Sequence, residues 1–447
     1  MKFKISVVSL GCDKNWSDSE YLVGLISEDS QNFTFVADPL EADVVIVNSC
    51  AFIKSAVEET LDVVFDLSDK GKKVVLAGCF PSRFRDLSET LKKELPEVFI
   101  FSPHGTFRSM LSALKLELLS EHEGKSEKKR GSDGSMFLRP SLGFSEAFLH
   151  PPKSFFVSYP HGYVKLTEGC NRRCTFCVIP KIRGKQVSRS ISEIEKELSS
   201  AREQSLGEIV FVGQSTSDWE GDWLEFASVL EKYIEDIPWF RFLYLHPESL
   251  FGSGILELFE KRLVLPYFDI SFQHNSKRIL KLMGRRPIDV KKFVISLREK
   301  FPDGVLRSSF IVGFPGETEE EFESLLEFIS EGYVDYPVVF PYSDEEDAPS
   351  FLLLNKVSDE EILRRYRIAL EVSSRVVAES VERWIGSVEN VIIEGNFDEG
   401  CVARGWFQAP EVDGRIRISG CGASVGEFVE IRIKGFFDEE SLEGEFL

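Results

Sequence analysis

The stretch that decides the fold is YVKLTEGCNRRCTFCVIPKIRG, residues 163–184. After a strand-like apolar run it carries three cysteines in the spacing C-x3-C-x2-C, namely Cys170, Cys174 and Cys177. Three thiols this close in sequence are suited to bind a metal, and a structural zinc site would need a fourth ligand that the loop lacks. A four-iron cluster held by three thiolates keeps one iron open for a small molecule. We therefore favour such a cluster over zinc and over three cysteines buried in a core.

The same motif, with the aromatic residue Phe176 directly before its third cysteine, resembles the signature of the radical S-adenosylmethionine (SAM) superfamily. The resemblance implies that the open iron chelates the amino and carboxylate groups of SAM. It also implies that a transferred electron cleaves SAM to a 5′-deoxyadenosyl radical, with Phe176 beside the cofactor. In such a site the cofactor performs the difficult chemistry, while the protein orients it and excludes water.

Length and composition indicate a globular chain of two or three domains, with 447 residues and 43% hydrophobic content. We expect a soluble cytoplasmic protein without a membrane segment, because neither a signal peptide nor a run of about eighteen apolar residues is evident. Eight cysteines in such a chain favour metal or redox chemistry over disulfides. The net charge of −21 disfavours nucleic acid as a direct substrate and favours a basic partner, although acidity that serves only solubility stays an alternative.

Residues 1–118 predict an open parallel α/β domain, because apolar β-branched runs alternate with helical patterns. Three of the strand-like runs end at a cysteine: Cys12, Cys50 and Cys79. Open α/β sheets bind ligands at the carboxyl ends of their strands, so we expect these thiols to converge. The sequence therefore predicts a second cluster with three protein ligands, against the alternative of three unrelated core cysteines.

The segments SLGCDKNWSDSE, NSCAFIKSAVEET and AGCFPSR, which surround these three cysteines, resemble the N-terminal domain of the methylthiotransferases. That family pairs an auxiliary four-iron cluster with the radical SAM cluster. The residues around Cys12 resemble the RimO branch, which modifies an aspartate of a small-subunit ribosomal protein. The tRNA-modifying, MiaB-like branch usually carries a different polar pair after the first cysteine.

Residues 119–155 change to a polar, glycine- and proline-containing composition and predict a linker. Residues 156–385 then repeat strand and helix about six times, which predicts a partial TIM-like (β/α)6 barrel with its site at the C-terminal strand ends. His274 follows one such strand and is equally consistent with a cavity role and with a core histidine. The resemblance, together with position in the barrel, suggests polar and backbone contacts to SAM at Gln214, Arg307, Ser309, Gly313 and Glu317.

Residues 386–447 alternate apolar and polar positions and predict a small antiparallel, OB-like β-barrel. Segments such as GRIRISG resemble the TRAM domain that closes methylthiotransferases. Thirteen acidic against five basic residues would repel tRNA and attract a Lys/Arg-rich protein. Trp406, Phe407 and Glu411 are candidates for that contact, with barrel core as the alternative for the two aromatic residues. Cys401 and Cys421 are interpreted as ordinary small apolar residues.

Taken together, the resemblance implies an α/β enzyme that adds a methylthio group to the β-carbon of an aspartate of ribosomal protein S-twelve. It would use two [4Fe-4S] clusters that open to one cavity, two molecules of SAM, an unidentified electron donor and a sulfur source. One alternative is a tRNA adenosine methylthiotransferase. Another, from a different class, is a two-cluster electron-transfer protein, which would cleave no SAM.

Overall fold

The structure, a computed structural model, describes residues 2–95, 97–101, 107–122, 155, 159–438 and 441–447. Internal contacts divide the chain into two units. The first comprises Met1–Phe155 together with Glu168–Asn171 and Val178–Ser200, and the second comprises Phe156–Thr167, Arg172–Cys177 and Ala201–Leu447. The predicted linker lies outside the described residues except at its two ends.

The first unit contains the predicted parallel sheet, in the order β2-β1-β3-β4-β5. Its strands are β1 (Phe3–Ser9), β2 (Phe33–Phe35), β3 (Val44–Ser49), β4 (Lys73–Gly78) and β5 (Val98–Ile100). Its helices are α1 (Asp13–Glu28), α2 (Lys54–Asp69), α3 (Cys79–Arg83), α4 (Arg85–Glu94), α5 (Phe107–His122) and α6 (Ile179–Arg183), and the short strand β8 (Val187–Ser188) also belongs here. Helix α5 runs four residues beyond position 118, where the sequence predicted the linker to begin.

The sheet forms because its central strands are continuous apolar runs that can be buried on both faces. All six residues of β3, VVIVNS, are buried. On one face, Ile5 and Ile46 pack with Leu22 of α1 and with Met110 and Leu114 of α5. This packing fixes the carboxyl ends of β1, β3 and β4 side by side.

The second unit contains six parallel strands, as predicted for a (β/α)6 barrel. They are β6 (His161–Lys165), β9 (Glu208–Val212), β10 (Trp239–Phe242), β11 (Tyr267–Asp269), β12 (Val305–Val312) and β13 (Tyr336–Pro341). They form the ladders β10-β9-β6 and β11-β12-β13, and a parallel bridge between Leu245 and Ile270 joins the two.

The barrel strands alternate with helices along the chain. These are α8 (Trp223–Tyr233), α9 (Pro247–Leu250), α10 (Ile255–Glu260), α11 (Lys277–Leu282), α12 (Val290–Lys300), α13 (Glu319–Ser330) and α14 (Asp359–Glu382). The short strand β7 (Thr167–Glu168) and helix α7 (Ile191–Glu203) have residues in both units. Among the described residues, no helix has the length and apolar character needed to span a membrane.

The end of the second unit is a closed five-stranded barrel in the order β14-β15-β16-β18-β17. Its strands are β14 (Val388–Phe397), β15 (Gly400–Gly405), β16 (Ile416–Ser419), β17 (Phe428–Phe436) and β18 (Leu442–Phe446). Neighbouring strands pair antiparallel except for β16 with β18, which are parallel. The small OB-like barrel predicted from the alternating pattern is therefore confirmed.

The interpretation of Cys401 and Cys421 as ordinary apolar residues is wrong, because the two form a disulfide with their Cα atoms 5.4 Å apart. Cys401 pairs with Ile418 in the β15–β16 ladder, and the chain turns back at Gly420, whose φ is 70°. The hairpin thus brings together two residues twenty positions apart in sequence.

Buried ion pairs fasten the small barrel to the (β/α)6 barrel within the second unit. Glu208, the first residue of β9, accepts hydrogen bonds from Arg241 of β10 (2.7 Å) and from Arg404 of β15. Asp413 accepts a hydrogen bond of 2.6 Å from the hydroxyl of Tyr267, the first residue of β11. The small barrel therefore contacts the N-terminal ends of the barrel strands, opposite to the ends where the sequence predicts the site.

Two aromatic candidates for substrate contact lie at this junction. Phe407 is fully buried and stacks on Trp384, just past the end of α14, with ring centroids 4.2 Å apart. Trp406 packs edge-on against the same ring at 5.3 Å. For Phe407 the core alternative holds, because the packing leaves none of its surface exposed to a partner.

Candidate metal and cofactor site

The carboxyl ends of three neighbouring strands each deliver a cysteine. Cys12 precedes α1 after β1, Cys50 follows β3, and Cys79 opens α3 directly after β4. All three are free thiols. Gly11 has a φ of 88°, and a Cβ there would lie 2.6 Å from the Cβ of Cys50. The first two cysteine loops therefore approach so closely that only glycine fits between them.

The three thiols also influence one another electrostatically. Burial, together with the neighbouring thiols Cys12 and Cys50, raises the pKa of Cys79 to about 11, although Arg183 partly opposes this. Burial likewise raises the pKa of Cys50. Buried thiolates need a positive partner, and a metal cluster supplies one. The donor set and its surroundings thus fit the predicted auxiliary cluster.

Asn15 holds the cysteine-bearing strand ends together. Its Nδ2 donates to the backbone oxygens of Leu10 (2.8 Å) and Ser49 (2.9 Å), which directly precede the loops of Cys12 and Cys50. The amide is completely buried. A single side chain therefore cross-links two of the three loops.

A buried arginine, Arg183 at the end of α6, contacts the third loop. Its Nη2 donates to the Oδ1 of Asn15 and lies 3.5 Å from the Sγ of Cys79. Its Nη1 donates to Glu168 (2.6 Å) and Asp18 (3.3 Å). Burial alone would lower the pKa of Arg183, but these anionic neighbours raise it well above its usual value. The guanidinium therefore remains charged beside the cysteine sulfur.

Arg183 is a site residue that was not predicted from the sequence. It lies only six residues after Cys177, within the quoted stretch, but 104 residues from Cys79. The only local feature that could have pointed to Arg183 is that it is a cationic residue at the end of a short helix, just before Gly184. Arg183 thus joins the segment of the radical SAM motif to the cysteines of the N-terminal sheet.

The cysteine loop of the motif is held by backbone and side-chain contacts. Within the second unit, Thr175 donates from its N to Met283 O (2.9 Å) and from its Oγ1 to Leu282 O (2.8 Å). Within the first, Cys170 N donates to Gly184 O (3.1 Å). None of the three cysteines is part of a disulfide.

Two further arginines brace this loop. Arg172 forms a two-pronged pair with Asp218, with both N–O distances 2.7 Å. Arg285 is nine-tenths buried, donates to Ser271 O (2.5 Å) and lies 3.9 Å from the Sγ of Cys174. Each set of cysteines thus has one buried guanidinium within reach of a sulfur.

The predicted SAM contacts fall at three places in the barrel. Phe176 packs against the apolar cluster that includes Met283, Ile311 and Phe314. Ser309 accepts a hydrogen bond of 3.1 Å from Gln273 Nε2 inside the barrel. Gln214 lies two residues past the end of β9. These positions are compatible with a cofactor at the C-terminal strand ends.

The turn after β12 is held by Glu317, another predicted contact. One of its oxygens accepts from the backbone N of Gly313 (2.6 Å), and the other lies 3.0 Å from His274 Nε2. Arg365 Nη1 donates to the first oxygen at 2.7 Å. Both carboxylate oxygens are therefore engaged in shaping the turn, and the assignment of Glu317 and Gly313 to SAM stays a prediction.

Arg307 is the third residue of β12 and therefore lies away from the C-terminal end of that strand, where a SAM contact is expected. Its Nη1 pairs with Asp269 at 3.3 Å, and its Nε lies 3.6 Å from Asp413 of the small barrel. Asp269 is the last residue of β11, and Asp413 belongs to the small barrel. The structure brings Arg307 into the interdomain ion pairs, and its assignment to SAM stays a prediction.

Within the described ranges, no three cysteine, histidine or carboxylate side chains are arranged for a single metal ion. The ligands of a four-iron cluster each bind a different iron and so stand further apart than ligands of one ion.

Three family models match the chain. The Radical SAM superfamily matches residues 164–329, the uncharacterized protein family UPF0004 matches residues 4–102, and the TRAM domain matches residues 385–447. Among solved structures, the radical S-adenosylmethionine methyltransferase TsrM from Kitasatospora setae has a TM-score of 0.51 at 13% identity, covering 77% of this chain and 74% of that one. That likeness concerns the fold alone. The fold and the cysteine loop define a radical SAM enzyme, which uses SAM and a [4Fe-4S] cluster.

Relatives with named functions narrow the class. The chain is 35% identical over 442 residues to the ribosomal protein uS12 methylthiotransferase RimO of Thermotoga maritima, covering 96% of this chain and 97% of that protein. It is also 35% identical over 457 residues to the protein of the same name from Geobacter sulfurreducens, covering 99% and 98%. The chain belongs to the radical SAM methylthiotransferase family, in its RimO branch.

Proposed function

We propose that this methylthiotransferase modifies ribosomal protein uS12, the S-twelve protein of the small subunit, at the β-carbon of an aspartate. The observation that carries the proposal is the convergence of Cys12, Cys50 and Cys79 at three adjacent strand ends. A radical SAM enzyme that only generated a radical would need no second set of three thiols. The names of the relatives support the choice of substrate.

The two cysteine sets divide the reaction. Cys170, Cys174 and Cys177 would hold the cluster that serves SAM, and the three N-terminal cysteines would hold the auxiliary cluster. When bound, the first cluster supplies the electron that cleaves SAM, and the second supplies an open iron for the sulfur atom. An electron donor and a sulfur source from outside the chain complete the set.

The chain's own residues position and protect these groups. Arg285 and Arg183 keep a positive charge within reach of the sulfurs of Cys174 and Cys79. The apolar cluster of Met283, Ile311 and Phe314 excludes water beside Phe176. A radical in a dry, apolar surrounding is protected from side reactions with solvent.

The kind of bond that is broken explains the need for a radical. The β C–H of an aspartate is too weakly acidic for a side-chain base to remove its proton. Hydrogen abstraction avoids this difficulty, and the carbon radical can then accept sulfur. The reaction requires that both cysteine sets serve one substrate carbon, with a second SAM as the methyl source.

The charge of the chain supports a basic protein substrate. The net charge is −21, and the small C-terminal barrel carries thirteen acidic against five basic residues. Nucleic-acid affinity depends on Lys and Arg contacts to phosphates, so this surface disfavours tRNA. A Lys/Arg-rich ribosomal protein has the complementary charge.

The deciding experiment gives the reconstituted enzyme, SAM and a reductant either purified uS12 or total tRNA under anaerobic conditions. Intact-protein mass spectrometry should show one methylthio group gained in place of one hydrogen on uS12, and fragmentation should locate it at an aspartate. A gain on tRNA adenosine instead would contradict the substrate assignment. Absence of 5′-deoxyadenosine in both reactions would favour an electron-transfer protein.

A further inference from the structure

A short turn after β13 exposes a cluster of large apolar side chains. The turn Pro349–Leu352 and the residues after it carry Phe351, Leu352 and Leu354, which are 36%, 82% and 83% exposed. Two leucines exposed to this degree lie within four positions of an exposed phenylalanine, which gives the turn an apolar surface. Such surfaces on a protein that is otherwise rich in charge mark interaction sites. We call residues 349–354 the apolar turn.

The exposure does not arise from a loosely held backbone. Ser350 is fully buried, its N donates to Thr175 O (2.8 Å), and its Oγ accepts from the hydroxyl of Tyr342 (2.9 Å). Just past the turn, Asn355 O accepts from Gly316 N at 2.8 Å. The backbone is thus fastened at both ends while the leucine side chains project into solvent.

The same contacts place the apolar turn beside the cysteine loop. Thr175, which binds the buried Ser350, lies between Cys174 and Cys177. Leu353, between the two exposed leucines, packs with Phe176 against the apolar cluster of the C-terminal strand ends. One side of the turn therefore supports the cofactor loop, and the other side is free for a partner that approaches that end of the barrel.

Exposed acidic residues flank the apolar turn along the chain, and the basic residue seen against it, Lys356 over the Phe351 ring at 4.1 Å, is paired with Asp344. Glu346 precedes it and is exposed, and Glu320, Asp359 and Glu360 are exposed in the first turns of α13 and α14. An RNA phosphate backbone would be repelled by this surface, and so would a second copy of the same chain. A protein segment with apolar side chains and flanking Lys or Arg residues fits both the charge and the leucines.

We propose that the apolar turn is the docking surface for the protein substrate. It would bind an apolar side chain next to the target residue, while the flanking carboxylates pair with basic residues of the same segment. The proposal rests on the proposed function, because it takes the Lys/Arg-rich ribosomal protein as its occupant. In this proposal the substrate is recognised by the loop after β13 as well as by the C-terminal barrel.

The test compares wild-type enzyme with Leu352→Ser/Leu354→Ser, and uses Leu224→Ser on α8, where the leucine is 56% exposed, as matched control. Affinity for fluorescently labelled uS12 is measured by anisotropy, and KM and kcat are measured in the modification assay. The double variant should raise both Kd and KM about tenfold, because two apolar anchors are lost. The double variant should cleave SAM at the wild-type rate when no protein substrate is present. The control variant should have the wild-type Kd and KM.

A charge variant provides a second, independent measurement. Glu346→Lys/Asp359→Lys should also weaken uS12 binding, and this loss should shrink as salt rises, since exposed charges are screened. The proposal is overturned if the leucine variant binds uS12 as tightly as the wild type, or if it loses affinity for tRNA or for a second copy of the chain instead. Wild-type enzyme that binds uS12 without modifying it would contradict the proposed function and leave the docking surface standing.

Discussion

Two buried guanidinium groups distinguish this pair of sites from simple cysteine clusters. Arg183 lies 3.5 Å from the Sγ of Cys79, and Arg285 lies 3.9 Å from the Sγ of Cys174. A cationic donor beside a ligand sulfur stabilises the reduced, more negative state of a cluster. Each arginine serves a different cysteine set, so the two sites can be perturbed separately.

Replacing Arg183 with Gln should make the reduction midpoint of the auxiliary cluster more negative, on the order of 50 mV, because a charged hydrogen bond to the ligand shell is lost. The midpoint is read by a redox titration followed by electron paramagnetic resonance. Arg285→Gln is the matched control and should shift the SAM-serving cluster instead. Equal shifts of both clusters in either variant would contradict the pairing of arginines with cysteine sets.

Single residues also show what sequence reasoning can reach. Spacing within a loop and position after a strand are local features, so the sequence could select six cysteines as candidate ligands, and their role as ligands stays a prediction. The arginines could not be selected in this way, because their contacts span 104 and 111 residues. Arg307 is a second example. Its place on a strand suggested a contact to the cofactor, but in the structure it lies beside Asp413, which is far away in sequence.

The turn between β12 and α13 is the element on which the cofactor end of the barrel depends. Thr318 and Glu321 form a capping box at the start of α13. Of the two roles predicted for His274, the structure supports that of a core histidine. Its Nδ1 accepts a hydrogen bond from Ser276 N (2.9 Å), and its Nε2 faces Glu317. This partnership required a carboxylate 43 residues away, which the local sequence does not reveal.

Glu317→Gln should lower the free energy of unfolding by about 3 kcal/mol, because it leaves Arg365 buried without its charged partner. The side chains of both residues are almost fully buried, and the N–O distance is 2.7 Å. Unfolding in urea measures the change. Glu320→Gln, on the exposed first turn of α13, is the control and should change stability by less than about 0.5 kcal/mol. Equal effects of the two substitutions would show that the buried pair does not hold the turn.

The joining of the small barrel to the (β/α)6 barrel is a property of the whole second unit. Next to the Glu208 ion pairs lies His161, which is 3% exposed and begins β6. Burial and the nearby charge of Arg404 lower the pKa of His161 to about 4, while Glu208 and Glu394 partly oppose this. The imidazole is therefore neutral in the folded protein at neutral pH.

Stability should consequently depend on pH through His161. In the unfolded chain the pKa is near 6.5, so the unfolded state binds the extra proton as the pH falls from about 6.5 to about 4, and about 3 kcal/mol of stability is lost over that window. His161→Gln should flatten this part of the profile of unfolding free energy against pH. An unchanged slope in the variant would show that His161 is not the titrating group.

At the scale of the molecule, the order of domains and their fold classes followed from periodicity, since each domain has one dominant pattern. The joining of domains did not, because Glu208, Arg241 and Arg404 come from separate segments and carry no common motif. The disulfide between Cys401 and Cys421 was missed for the same reason, since pairing depends on a hairpin register that composition does not specify.

The claim on which this account depends is that the chain holds two clusters, one on each cysteine set. The most direct test is the iron content of anaerobically reconstituted wild-type enzyme and of two triple variants, Cys12→Ser/Cys50→Ser/Cys79→Ser and Cys170→Ser/Cys174→Ser/Cys177→Ser. The account predicts about eight iron atoms per chain for the wild type and about four for each variant. About four in the wild type, with no further loss in one of the variants, would contradict it.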